Sequence, residues 1–200
     1  MTSMKLFGSL NSPFVRKVRV LLHEADLSER VRFEQIDPRD TATDLRVYNP
    51  LGKVPTFVAA DGGLFDSGVI CDWICCEHAE ARRFLPSARR WRILTTQALA
   101  DGLLDAGLLV RQETMRDAPI RSQDWVDQQS AKMLAAIARL DEDSQWRSAP
   151  LDLGQIAVAC ALGWVNFRLP EVDWETNHPR LADWHRPIAA RTSMVSTAPG

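Results

Sequence analysis

The chain has 200 residues, of which 46% are hydrophobic and 25% charged, with 24 Lys and Arg against 26 Asp and Glu and a formal net charge of -2. That is enough apolar material for one large domain or two small ones, and it sets aside a disordered chain. There is no basic excess or run to hold nucleic acid, and no stretch approaches the ~20 consecutive apolar residues of a membrane span, so neither partner is expected.

In chain order, the opening Met1-Thr2-Ser3-Met4-Lys5-Leu6-Phe7 lacks the charged lead and apolar block of a secretory signal and runs straight into a β-type run at Met4 to Phe7. Ser12-Pro13 opens a helix, because Ser caps well and Pro suits the first helical position. Val15, Val18, Leu21 and Leu22 then recur at helical spacing. Val31 to Ile36 alternates as a second strand, and Asp40 to Tyr48 reads as a weak helix or turn. Thr56 to Ala59 and Gly63 to Phe65 form a hairpin around Asp61-Gly62. Ser67 starts a helix carrying Val69, Ile70, Trp73 and Ile74. The first ~80 residues thus run β-α-β-(α)-β-β-α, an α/β order.

From Ala88 onward only helical periodicity remains. Trp91 to Met115 and Ser122 to Leu140 are long candidates. Asp152-Leu153-Gly154-Gln155 is a capping-box variant ahead of a helix whose apolar run, Ile156 to Trp164, implies burial on all sides. Asn177-His178-Pro179 starts a last helix to about Ala190, and Ser193 to Gly200 is a small, polar tail expected to fray. The four cysteines, Cys71, Cys75, Cys76 and Cys160, form no CxxC and no disulfide framework. They read as small core residues in a reducing cytoplasm, not as a metal site. His23, His78, His178 and His185 are scattered and read as structural or exposed.

Two segments carry chemistry. Ser9-Leu10-Asn11-Ser12-Pro13-Phe14 joins the first strand to the first helix. Asn49-Pro50-Leu51-Gly52-Lys53-Val54-Pro55-Thr56 leads into the third strand, with Asp66-Ser67 just beyond. Together they read as a grip for a small peptide, held by its backbone and carboxylate. Proline before a strand adopts the cis form at a cost of only ~0.5–1 kcal/mol. At a helix start, the Ser67 hydroxyl and the free N–H groups behind it can take a carboxylate, while Asp66 faces an ammonium. A plain helix cap and a trans turn proline are the competing readings.

With these segments in this order, the chain resembles the glutathione S-transferase superfamily over nearly its whole length, as a serine-type, bacterial-like cytosolic member. The resemblance implies a thioredoxin-like glutathione-binding domain over 1–83, a linker over 84–90 and an all-helical bundle over 91–200, with 193–200 disordered. It implies a cis Val54–Pro55 bond, with the Val54 N–H and C=O pairing the cysteinyl backbone of glutathione. Asp66 and Ser67 would hold the γ-glutamyl end, and Lys53 the glycine carboxylate. The electrophile pocket would draw on Leu10, Asp105 and Leu109. Glutathione would be a co-substrate, a small hydrophobic electrophile the other reactant, and the assembly a homodimer, with no metal or further cofactor.

The resemblance places the reactive position at Ser12, whose hydroxyl can donate to the glutathione sulfur beside the partial positive charge of a helix N-terminus. A thiol of pKa ~8.5 is only ~3% ionised at pH 7, and one at ~6.5 is roughly three-quarters ionised; two units correspond to ~2.7 kcal/mol. Ser9, Asn11 and backbone donors remain alternatives for this role. No Tyr neighbours Phe7 in sequence and the only one is Tyr48, which disfavours a tyrosine-type mechanism. Cys is absent from positions 9 to 12, which disfavours a mixed-disulfide one. A glutathione-binding relative without turnover, or a glutathione-dependent dehalogenase, isomerase or peroxidase, would share the same cradle.

Overall fold

The first strand, β1 (Met4–Gly8), lies inside the four-stranded sheet, in the order β2-β1-β3-β4. The structure, a computed structural model, describes residues 4–37, 40, 44–148 and 150–200. β1 pairs in parallel with β2 (Val31–Gln35), Met4 opposite Val31 and Gly8 opposite Gln35. A parallel pair needs a crossover, and α1 (Pro13–Glu24) supplies it. Val15, Val18 and Leu21 of α1 are fully buried, as their spacing predicts. Gly8 lets this helix approach closely: a Cβ there would sit 2.5 Å from Val15 Cγ1 and 2.8 Å from the Phe33 ring.

After α2 (Leu45–Tyr48), β3 (Thr56–Ala59) runs antiparallel to β1, with Phe7 opposite Thr56. β4 (Gly62–Leu64) pairs antiparallel with β3, Phe57 opposite Leu64. α3 (Ser67–Glu77) follows and packs beside α1 with Ile70 and Ile74 buried. The expected helix or turn at Asp40 to Tyr48 falls partly on 41–43, outside the described residues.

The chain divides into two compact units: the described residues up to Arg90 together with Thr192–Gly200, and Trp91–Arg191. The second is helical, with α4 (Arg90–Thr114), α5 (Gln123–Glu142), α6 (Leu153–Arg168), α7 (Trp174–Asn177) and α8 (Pro179–Ala189). Caps appear where the sequence puts them: the Ser122 hydroxyl accepts from the Trp125 N–H, and the Asp152 carboxylate accepts from the Gln155 N–H. α6 is buried continuously from Leu153 to Leu162. Asp141 draws the unit together, accepting from Arg180 at 3.1 Å and from the Leu181 N–H at 3.1 Å, with Arg147 and His178 each 3.6 Å away.

The expectation for the C-terminal tail is corrected. The tail does not fray: Thr192–Ser196 forms a short helix, α9, against α1, and Met194 is 1% exposed. Arg16 donates to the Met194 carbonyl at 2.9 Å, and the Ser193 hydroxyl donates to Glu24. The tail therefore groups with the first unit and not with the helical one. The 84–90 segment carries a 3-10 turn at Ser87–Arg89 leading directly into α4, and the division between the two units falls at its end, after Arg90. Finally, Arg82–Thr114 is long and apolar enough, by length and composition alone, to cross a membrane, with mean hydropathy 1.3 over its most apolar window. Its buried positions, among them Ile93, Gln97, Ala100, Leu104 and Val110, follow helical spacing along one face, the pattern of a helix set against a core.

Candidate functional site

Strand directions bring the two motif segments together. β1 ends where β3 begins, and β4 ends at that same edge. The Ser9–Ser12 loop, the Val54–Pro55 bend and the Asp66–Ser67 corner therefore leave one end of the sheet. The N-termini of α1 and α3, with their partial positive charge, lie at that end too.

Ser12 is the N-cap of α1. Its N–H donates to the Ser9 carbonyl at 3.1 Å, and its Oγ accepts from the Val15 N–H at 3.3 Å. Capping uses only a lone pair on the oxygen. The hydroxyl proton is left to donate, so the capping and donor roles are compatible in one side chain. Asn11 beside it is exposed, while Ser9 and Leu10 are half-buried.

The Val54–Pro55 bond is cis, as the segment leads one to expect, and Phe65–Asp66 is cis as well. Val54 is shaped by a residue to which the sequence assigned no role. Asn49 is 1% exposed, and its Nδ2 donates to the Lys53 carbonyl at 3.1 Å and to Thr56 Oγ1 at 3.0 Å. Its Oδ1 accepts from the Leu51 N–H at 3.0 Å, and Thr56 Oγ1 donates to the Lys53 carbonyl at 2.9 Å. One buried amide thus ties both ends of the loop that displays Val54. The signal in sequence is an Asn that opens a loop and a Thr that closes it, each able to bond backbone locally. Gly52, at φ +62°, supplies the left-handed turn between them. Lys53 itself is exposed.

At the third corner, Asp66 and not Ser67 caps α3: its Oδ1 accepts from the Gly68 N–H at 2.9 Å. The Asp66 side chain is exposed, and Ser67 is 3% exposed at the first helical position. Tyr48 is half-buried. It is distant from Phe7 in sequence, yet its ring lies 5.9 Å from that of Phe7, centroid to centroid. Sequence separation therefore gives no ground for setting a tyrosine aside.

The remaining candidates are divided between the two units. Leu10 belongs to the first unit, and Asp105 and Leu109 to the second, both exposed on α4. Cys71, Cys75 and Cys160 are buried as expected, but Cys76 is exposed, with its Sγ 3.4 Å from Asp72 Oδ1. Burial, reinforced by the Asp72 charge and by Cys76, pushes the Cys75 thiol up to about 12. No group of His, Cys, Asp or Glu suited to a metal ion occurs among the described residues.

A thioredoxin-like domain joined to an all-helical domain is the architecture of glutathione transferases. Comparison with known proteins agrees. Residues 6–82 match the family model for the glutathione S-transferase N-terminal domain, and residues 123–186 that for the C-terminal domain. The chain is 35% identical over 204 aligned positions to the uncharacterized GST-like protein YibF of Escherichia coli K12, covering 98% of each chain. A glutathione transferase family member from Pseudomonas fluorescens Pf-5, solved with bound glutathione, superposes with a TM-score of 0.92 at 40% identity, over 99% of this chain and 100% of that one. A glutathione S-transferase from Methylobacillus flagellatus, also with glutathione bound, gives a TM-score of 0.92 at 31% identity over 99% and 100%. The chain belongs to the glutathione S-transferase family.

Proposed function

We propose that this protein is a serine-type glutathione transferase, which binds glutathione at the Ser12 end of the sheet and activates its thiolate for attack on a small hydrophobic electrophile. The observation that carries the reading is the convergence of a capping serine, a cis Val-Pro bend and an acidic helix cap at one sheet edge. The backbone of Val54 pairs with the cysteinyl unit in the manner of an added strand. The exposed second oxygen of Asp66 meets the γ-glutamyl ammonium, and the α3 N-terminus beside Ser67 meets its carboxylate. Lys53 reaches the glycine carboxylate.

Ser12 then donates its hydroxyl proton to the sulfur, while the α1 N-terminus adds partial positive charge. Both favour the thiolate, which is the nucleophile. Ser9 and Asn11 line the same turn and are the next donors. The attack forms the carbon–sulfur bond and expels the electrophile's leaving group or opens its ring, so the protein contributes activation and proximity. The glutathione-bound neighbours support the tripeptide assignment. A cytoplasmic homodimer is the assembly we infer from the family.

The test is conjugation of glutathione by the purified protein across aryl halides and epoxides, with oxidation of glutathione by peroxides followed separately, alongside retention on immobilised glutathione. Ser12→Ala is expected to lower kcat/KM about 10- to 100-fold with little change in glutathione affinity, and Tyr48→Phe to leave kcat/KM unchanged. Retention without turnover on any substrate overturns the transferase reading in favour of a binding protein. Unaltered kinetics in Ser12→Ala overturn the serine assignment alone.

A further inference from the structure

A cavity lies in the first unit, away from the Ser12 end of α1. It lies between β1 and β2, the last turns of α1, and the end of α9 at Ser196 with Thr197 beyond it, and has a volume of about 240 Å³. Its apolar floor is Leu6, Leu22 and Phe33. Its polar wall holds Arg19, His23 and Ser28.

Arg19 is the unusual member. It is half-buried, its guanidinium stacks 4.9 Å from the Phe33 ring centre, and no carboxylate pairs with it among the described residues. The neighbouring charge is Arg16, of the same sign, one turn earlier. Arg16 is 9% exposed, and its Nε has no partner although one Nη holds the Met194 carbonyl. Burial, aided by Arg16, holds the Arg19 guanidinium below its ordinary range. A half-buried cation with no counter-charge is costly, and an incoming anion relieves that cost. Thr197 also lines the cavity, but its hydroxyl already donates to the Ser193 carbonyl at 2.7 Å. Ser196 lines it too, its hydroxyl donating to the same carbonyl at 3.4 Å, so the donors left are the Arg19 fork, a ring N–H of His23 and the exposed Ser28 hydroxyl.

We propose that this cavity is a binding site for a small organic carboxylate, distinct from the glutathione end: the carboxylate pairs with Arg19, His23 and Ser28, and an apolar body rests on Leu6, Leu22 and Phe33. The volume lies below the ~300–1,000 Å³ of drug-sized pockets, which selects a single ring or short acyl chain over a long lipid tail. The last turn of α1 carries partial negative charge that opposes an anion, so binding depends on Arg19.

The experiment titrates the full-length protein with 4-phenylbutyrate by calorimetry, with 4-phenylbutyramide as the uncharged control. Amide chemical shifts on labelled protein locate the site. Saturable binding of the carboxylate, about tenfold or more tighter than the amide, is expected, with shifts at Leu6, His23 and Ser28. Arg19→Gln should weaken it by a similar factor and leave glutathione affinity unchanged, and saturating S-hexylglutathione should not compete. No saturable binding, equal affinity for the amide, or shifts confined to Ser9–Ser12 and Val54–Ser67 overturns the proposal. The shift map decides even if Arg19→Gln does not fold.

Discussion

Asn49→Ala isolates the residue that shapes the Val54 loop. The change deletes three side-chain hydrogen bonds of 3.0–3.1 Å from a site that is 1% exposed. Each is worth ~0.5–1.5 kcal/mol net. The Lys53 carbonyl keeps its bond from Thr56 Oγ1, and Leu51 is exposed enough for water to reach its N–H, so no stranded group adds a large further penalty. The sum is roughly 1.5–4.5 kcal/mol, about 3 at the centre of the range. Asn49→Asp makes a sharper comparison. It keeps the acceptor for Leu51 but turns both donor bonds into oxygen–oxygen repulsions, so it should cost about as much. Urea denaturation followed by circular dichroism should show a lower midpoint at unchanged slope, and calorimetry about tenfold weaker glutathione binding. If both variants lose less than ~0.5 kcal/mol and bind glutathione normally, the loop does not rest on Asn49.

Other expectations concern the tail, the thiols and acid stability. Met194→Ala should destabilise the protein by about 2 kcal/mol, the low end for a buried Met truncation, because a five-residue helix can partly close the gap; thermal unfolding measures it, and no shift would mean that α9 adds nothing to the first unit. Iodoacetamide at pH 8 should modify Cys76 first and leave Cys75 untouched, since only the thiolate reacts and Cys75 sits at about 12 in a buried position; mass spectrometry of the digest would contradict this if both label together. In the helical unit, burial tends to raise the Asp141 carboxyl, but Arg180, His178 and Arg147 outweigh it and hold it below its ordinary 3.8. A lowered carboxyl contributes stability that is complete above its unfolded value and lost as pH falls through its folded one. Unfolding from pH 7 to pH 2 should therefore show a decline beginning near pH 4 that is shallower in Asp141→Asn; identical slopes would contradict it.

Features encoded locally were legible. Ser12-Pro13 announces α1 because the cap and the fixed φ act within one turn, and Asp152 announces α6 likewise. At Val54-Pro55 the residues alone left cis and trans both open, and the cis form was what the family resemblance implied. What escaped depends on long-range contacts. Nothing in Thr192–Ser196 favours a helix by composition; burial of Met194 and a bond from Arg16, 178 residues away in sequence, hold it. Tyr48 comes beside Phe7 only because α2 leads into the loop before β3. The choice between Asp66 and Ser67 as the α3 cap turned on one residue of register, which backbone geometry settles.

The central claim is that the Ser12 edge of the sheet makes the sulfur of bound glutathione more acidic. Titrating the ultraviolet thiolate band of glutathione in the presence of saturating protein tests this most directly. The account predicts an apparent pKa near ~6.5, about two units under the ~8.5 of an unperturbed thiol, moving back toward that value in Ser12→Ala. Bound glutathione that titrates as it does free in solution would contradict it.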